Sequence, residues 1–182
     1  MLFRSDRIYQ PTASNAKFTE DDYKAVASNM HEVAEIASQY KLIFMVEALR
    51  NSTLISTIYT LTRVTRAANH PNLKPLFDFY HFWSGMSKFE DLEAMKSGEI
   101  GHVHFQDTPA MPRELLDSQT RLIPGDGVAP LDKMLKTLAA KGYSGALSIE
   151  LFIPKFQKGD PYETAMEIKP KAEAVMKKAG VL

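Results

Sequence analysis

The sequence predicts an α/β protein built on a parallel sheet, and two observations carry that reading. Four short apolar runs, at 42–46, 75–77, 100–103 and 146–149, are bounded by turn-forming residues and read as buried strands. Helix-length amphipathic segments alternate with them. Strict alternation with helical crossovers makes a parallel sheet of right-handed βαβ units. The 182 residues, 45% hydrophobic and 24% charged, suit one soluble globular domain over 1–182, with no compositional break to mark a boundary.

Residues 1–18 read as an irregular N-terminal segment, because Pro11 and Ser14 interrupt it and Phe3-Arg4-Ser5-Asp6-Arg7-Ile8-Tyr9 makes a poor strand. Thr19 is a good N-cap, with Asp22 three residues on. Tyr23, Val26, Met30, Val33 and Ala37 follow at helical spacing, so a helix runs to about Tyr40. The first strand ends at Glu47. Asn51-Ser52-Thr53 introduces a second helix through Leu54, Ile58, Leu61 and Val64, closed by Asn69-His70-Pro71. Strand 74–79 carries Asp78, and a short helix opens near Ser87 and stops at Gly98. Strand 100–105 carries His104. The polar connection 106–130 contains Pro109, Pro112, Pro124, Gly125 and Gly127, and connections of that length are often functional. Helix 131–141 stops at Gly142. Strand 146–152 carries Glu150, a mobile stretch covers 154–161, and a final helix spans about 162–179.

Composition excludes several function classes. Lys plus Arg equals Asp plus Glu at 22 each, so no basic excess is present to neutralise a phosphate backbone, and no nucleic-acid partner is expected. There is no cysteine, which removes disulfides, thiolate nucleophiles and Cys-ligated zinc. The opening Met1-Leu2-Phe3-Arg4-Ser5-Asp6-Arg7 has no following apolar region and does not read as a signal peptide. No stretch approaches the ~18 apolar residues of a membrane span. A cytoplasmic protein with no membrane partner is the expectation.

The chemistry concentrates at the ends of the strands. Glu47, Asp78, His104 and Glu150 each follow one of the apolar runs, and in parallel α/β sheets ligands bind outside the carboxyl ends of the strands. Two Glu, one Asp and one His there form a hard-cation site with an open position. Each residue also has a plainer reading. Glu47 can pair with Arg50, and Asp78 can cap the next helical turn. His102 and His104 lie on one short strand, and only one of them is expected to reach such a site. His81 and Trp83 can be loop packing or the wall of a sugar pocket, and Asp107 reads as a loop brace. Asp126 can merely satisfy backbone amides, and His31 and His70 read as solvent-exposed.

The segments Val46-Glu47, Asp78-Phe79-Tyr80-His81-Phe82-Trp83, His102-Val103-His104-Phe105-Gln106-Asp107, Arg121-Leu122-Ile123-Pro124-Gly125-Asp126-Gly127, Gly142-Tyr143-Ser144-Gly145 and Ser148-Ile149-Glu150 resemble the xylose-isomerase-like TIM-barrel superfamily. Within it the likeness is to the sugar phosphate isomerase/epimerase group, over about residues 23–152. The resemblance implies a (β/α)8-type parallel barrel, of which this chain holds the C-terminal half, about four βα units. It implies one divalent cation, Mn2+ or Mg2+ with Co2+ or Zn2+ as substitutes, held by Glu47, Asp78, His104 and Glu150. It selects His104 over His102, and makes His81, Trp83 and Arg121 the substrate-binding candidates, although Arg121 does not align securely with the family's arginine.

The implied reaction is isomerisation or epimerisation of a sugar or keto-polyol through an enediolate, with Glu47 and Glu150 as the bases. Two alternatives stand beside it: a metal-dependent dehydratase of an inosose or dehydroshikimate-like substrate, and an inactive metal-binding half-barrel. The endonuclease-IV-like branch demands more His ligands and a basic DNA face. A half-barrel would expose inward-facing Phe44, Val46, Phe77, Val103 or Ile149 and two open strand edges. The expected partner is therefore a second copy, closing an eight-stranded barrel, or a complementing N-terminal half.

Overall fold

The computed structural model describes residues 5–182 apart from residue 118. Five strands form one sheet in the order β1-β2-β3-β4-β5, and every neighbouring pair is parallel. They are β1 (Arg7–Pro11), β2 (Ile43–Glu47), β3 (Leu73–Asp78), β4 (His102–His104) and β5 (Leu147–Ser148). Between and after them lie α1 (Glu20–Gln39), α2 (Ile58–Ala68), α3 (Phe79–Ser84), α4 (Phe89–Glu93), α5 (Leu131–Ala140), α6 (Pro154–Lys158) and α7 (Pro161–Lys178). The parallel α/β half-barrel expected from the sequence is present, with one strand more than expected.

That strand is β1, which corrects the irregular reading of 1–18. Arg7–Pro11 aligns with Ile43–Glu47, anchored by Ile43 N donating to Asp6 O (2.9 Å) and Thr12 N donating to Glu47 O (3.0 Å). An edge strand needs little side-chain burial and tolerates proline, so it carries almost no apolar signature. Its exposed residues, ending in Pro11, fit that description. Phe3 and Arg4, the start of the stretch weighed as a strand, lie outside the described residues.

The strand faces also correct an expectation. Phe44, Val46, Phe77 and Val103 face the helices, in one core with Ala34, Leu61, Val64 and Leu135, and Ile149 packs partly against it. They are not the exposed inner face. Full burial of side chains such as Leu61 and Phe77 stabilises the fold by about 1.5–3 kcal/mol each. Because side chains alternate along a strand, Tyr9, Met45, Glu47, Asp78 and His104 occupy the opposite, inner face. The 420 Å³ cavity there is lined by Tyr9, Met45, His102 and His104 among others.

Other boundaries moved for local reasons. Helix α1 has the expected Thr19/Asp22 capping box. Helix α2 begins only at Ile58, capped by Thr57, whose side chain accepts from Thr60 N. Ser52, within the 51–53 stretch expected to introduce the helix, donates its hydroxyl to Thr12 O. β5 is short because β4 ends at His104 and leaves 149–152 nothing to pair with. Helix α6 occupies much of the expected 154–161 loop, opened by Pro154 at a first-turn position. The imidazole of His70 is buried, 3.1 Å from Glu35 Oε2 and edge-on to His31 at 5.1 Å. The expected exposure does not hold for His70. Among the described residues no helix is long and apolar enough to cross a membrane.

Candidate metal centre

Glu47, Asp78 and His104 are the last residues of β2, β3 and β4, and Glu150 lies two residues beyond β5. The parallel sheet therefore delivers all four to one end. Each offers a ligand atom, and these atoms lie within 4.8 Å of one another. His104 Nδ1 is 3.1 Å from Glu47 Oε1, 3.3 Å from Glu150 Oε2 and 3.5 Å from Asp78 Oδ2. The first three residues are buried and Glu150 is half-buried. His102 shares the inner face with His104, two residues along the strand, with 5.7 Å between the ring centres, but it lies nearer the amino end of β4 and bonds Ser148 Oγ at 2.7 Å instead of joining the cluster.

The plainer readings divide. Arg50 does not pair with Glu47; its guanidinium donates to the carbonyls of Ser84, Leu116 and Arg113. Asp78 both caps and converges, since Oδ1 accepts from His81 N at 2.6 Å while Oδ2 faces the cluster. Asp107 is a brace: its carboxylate accepts from the amides of Thr108, Gly125, Gly127 and Ala129. Gly127 leaves no space for a Cβ, which would lie 2.6 Å from Asp107 Oδ1. Asp126 pairs with Lys171 rather than with amides.

Arg121 is buried against the cluster. Its Nη1 bonds Glu150 Oε2 and lies 3.5 Å from Asp78 Oδ2. The guanidinium is flanked by the rings of Phe152 and Tyr80 at 4.9 and 5.3 Å. Its Nη2 reaches His81 Nε2 at 3.0 Å. A guanidinium only donates, so Nε2 accepts there, while Nδ1 faces the backbone N–H of Arg50 at 3.4 Å. Trp83, on the same short helix, packs under Arg113 with 4.8 Å to the ring centre.

The electrostatics follow from three carboxylates packed around one imidazole. Burial pushes Glu47 up to about 7, against the His104 hydrogen bond, while the Asp78 charge adds to the rise. Burial works against the charge on Asp78 too, but His104, His81 and Arg121 hold that carboxyl well below the usual range. Glu150 is lowered: burial is outweighed by His104 and Arg121. Burial opposes charging His104, yet its three acidic partners drive it up to about 12. Burial pushes His81 down. The metal-free cluster thus holds a proton on His104 and, near neutrality, a share of one on Glu47.

This donor set fits a divalent cation. Three carboxylates and one imidazole are hard to borderline ligands, and burying them together is costly without a compensating charge. Ligands sharing one ion at ~2.0–2.2 Å lie at most about 4.4 Å apart. The observed spread therefore needs only a small contraction.

Two neighbours escaped the sequence reading. Tyr9 stands edge-on to His104 at 5.5 Å between ring centres, on the unrecognised strand. Gln106 Nε2 donates to Asp78 Oδ2 at 2.6 Å. Strand parity was the available signal for Gln106, since it sits two residues after His104 and so shares its face.

With fold and site in view, the class is that of parallel α/β barrels, here a half-barrel whose strand ends carry a buried acidic and histidine cluster that could hold a metal ion. The model of the xylose isomerase-like TIM barrel family matches residues 6–172, and this chain belongs to that family. Among its relatives is an inosose isomerase of Halalkalibacterium halodurans, 31% identical over 148 residues, which are 80% of this chain and 52% of that protein. A 3-dehydroshikimate dehydratase of Pseudomonas putida is 24% identical over 80% of this chain and 23% of its own length. In structure, the chain matches the IOLI protein crystallised with a bound zinc atom, at a TM-score of 0.87 and 24% identity over 96% of this chain and 64% of that one. The chain spans roughly half to three-fifths of the inosose isomerases it matches.

Proposed function

We propose that this chain carries the metal and base residues of an isomerase or epimerase acting on a sugar or keto-polyol. The observation that carries the reading is the convergence of Glu47, Asp78, His104 and Glu150 within 4.8 Å. A divalent cation bound there would act as a Lewis acid on a carbonyl and its neighbouring hydroxyl. Mn2+ or Mg2+ suits the oxygen-rich set, and the zinc-bound neighbour adds Zn2+.

The residues divide the remaining work. Glu47, raised to about 7 by burial, is matched to taking up and returning a proton near neutrality. Glu150, held ionised beside Arg121, is the second base. A proton removed beside the carbonyl leaves an enediolate. Its return to the other face epimerises, and its return to the adjacent carbon isomerises. Arg121 and His81 offer the substrate N–H donors once the guanidinium is engaged by substrate oxygens, and Trp83 offers an apolar ring wall. A dehydratase reading is supported by the relatives of that name; there Glu47 would remove the proton and a β-hydroxyl would leave.

The pocket needs further walls to exclude water. A (β/α)8 barrel has eight strands and this sheet has five, so three more complete it. Two copies would bring ten strands, two more than the eight of the expected homodimeric barrel. Three further βα units, in whatever polypeptide carries them, are the complement that the pocket requires.

Incubating the Mn2+-loaded protein with inososes, ketoses and 3-dehydroshikimate in deuterated water tests the reading. Deuterium should enter beside the carbonyl of a ketose or inosose. Absence of exchange with every substrate, in protein shown to hold metal and to form a closed barrel, would refute it.

A further inference from the structure

We propose that Gln106 is a positioning residue that sets the orientation of Asp78 for cation binding, an inference that rests on the metal-centre reading above. Asp78 is gripped from two directions. The first turn of α3 takes Oδ1 through His81 N, and the Gln106 amide takes Oδ2 at 2.6 Å. With one bond on each oxygen, the carboxylate cannot rotate without losing both. The second lone pair of Oδ2 stays aimed at the centre, where His104 Nδ1 and Arg121 Nη1 each stand 3.5 Å away.

A packing role alone does not account for this residue. Gln106 has no exposed surface, and its Oε1 is buried without a hydrogen-bond partner. The strand before it supplies the apolar contact through Phe105, which turns to the helix side and meets Phe79 edge-on at 5.3 Å. A methionine would fill the volume of Gln106 without the unsatisfied acceptor. Among the described residues, the one interaction the amide makes that an apolar side chain cannot is the bond to Asp78. Groups that orient metal ligands in this way typically change affinity 10–100-fold when removed.

The test is Mn2+ and Zn2+ titration of the parent protein, Gln106→Met and Gln106→Leu, with thermal unfolding of each metal-free protein beside it. Both variants should fold with the parent's melting temperature or higher for Gln106→Met, and bind 10–100-fold more weakly. In an Asp78→Asn background, Gln106→Met should have no further effect, because it acts only through that carboxylate. A folded variant of either kind that binds within twofold of the parent overturns the assignment. So does failure of both to fold, which would make Gln106 a structural residue. A parent protein that binds neither metal instead sinks the metal centre itself, so the two failures are distinguishable.

Discussion

His104 Nδ1 lies 3.1 Å from Glu47 Oε1 although 57 residues and the whole of β3 separate them. The pair spans the central strand and marks the middle of the cluster. One divalent cation should therefore bind per chain. Replacing His104 by Ala should weaken Mn2+ or Zn2+ at least ~100-fold, since a direct ligand matters no less than the groups that orient ligands. Titration calorimetry with metal analysis checks this, and equal affinity in the variant would remove His104 from the site.

Cation binding should release protons. The metal-free protein holds one on His104, raised to about 12, and roughly half of one on Glu47, raised to about 7. Both must leave for these atoms to ligate. Lower pH fills Glu47 further, so affinity falls below pH 7 and rises above it. Calorimetry at pH 7 in buffers of different ionisation enthalpy should give between one and two protons per cation. A buffer-independent enthalpy would contradict the charge state assigned to the cluster.

Proton transfer should depend on both glutamates. Glu47→Gln and Glu150→Gln keep an oxygen for the metal but cannot take up a proton, and each should slow exchange of the substrate α-proton by ~10²–10⁴-fold. Proton NMR in deuterated water reads this directly. Parent-like exchange in both variants would reduce the two residues to ligands.

Asp107 should matter for stability. Its carboxylate accepts four amide hydrogen bonds and ties the 106–130 connection together. Asp107→Ala strands those donors at a cost of about 3 kcal/mol, which lowers the melting temperature by roughly 6–12 °C for a chain of this size. A shift below 2 °C would show that the loop is held by other contacts.

The sequence by itself determined the layout that matters most. Alternating apolar runs and amphipathic helices dictate parallel pairing, because only helices that cross over the sheet can return the chain in the same direction. That alone sends Glu47, Asp78, His104 and Glu150 to one end of the sheet, while period-two alternation leaves His102 and His104 on one face and only their depth along the strand separates them. Asp107 was legible as a loop brace, although the amides around Gly125 and Gly127 that it takes were assigned to Asp126.

Tertiary structure decided what local pattern does not encode. β1 is held by backbone hydrogen bonds at an edge, where side chains need not be apolar, so its five residues look irregular in sequence. Arg121 gives no periodic signal, and only the packed loop lays its guanidinium on Glu150 and between Tyr80 and Phe152. Gln106 reads as one more polar residue at the start of a loop until the fold buries it against Asp78. The physical reason is the same in each case. Hydrogen bonds and charges are satisfied by whichever group lies nearest in space, and nearness across a sheet is set by register and packing rather than by spacing along the chain.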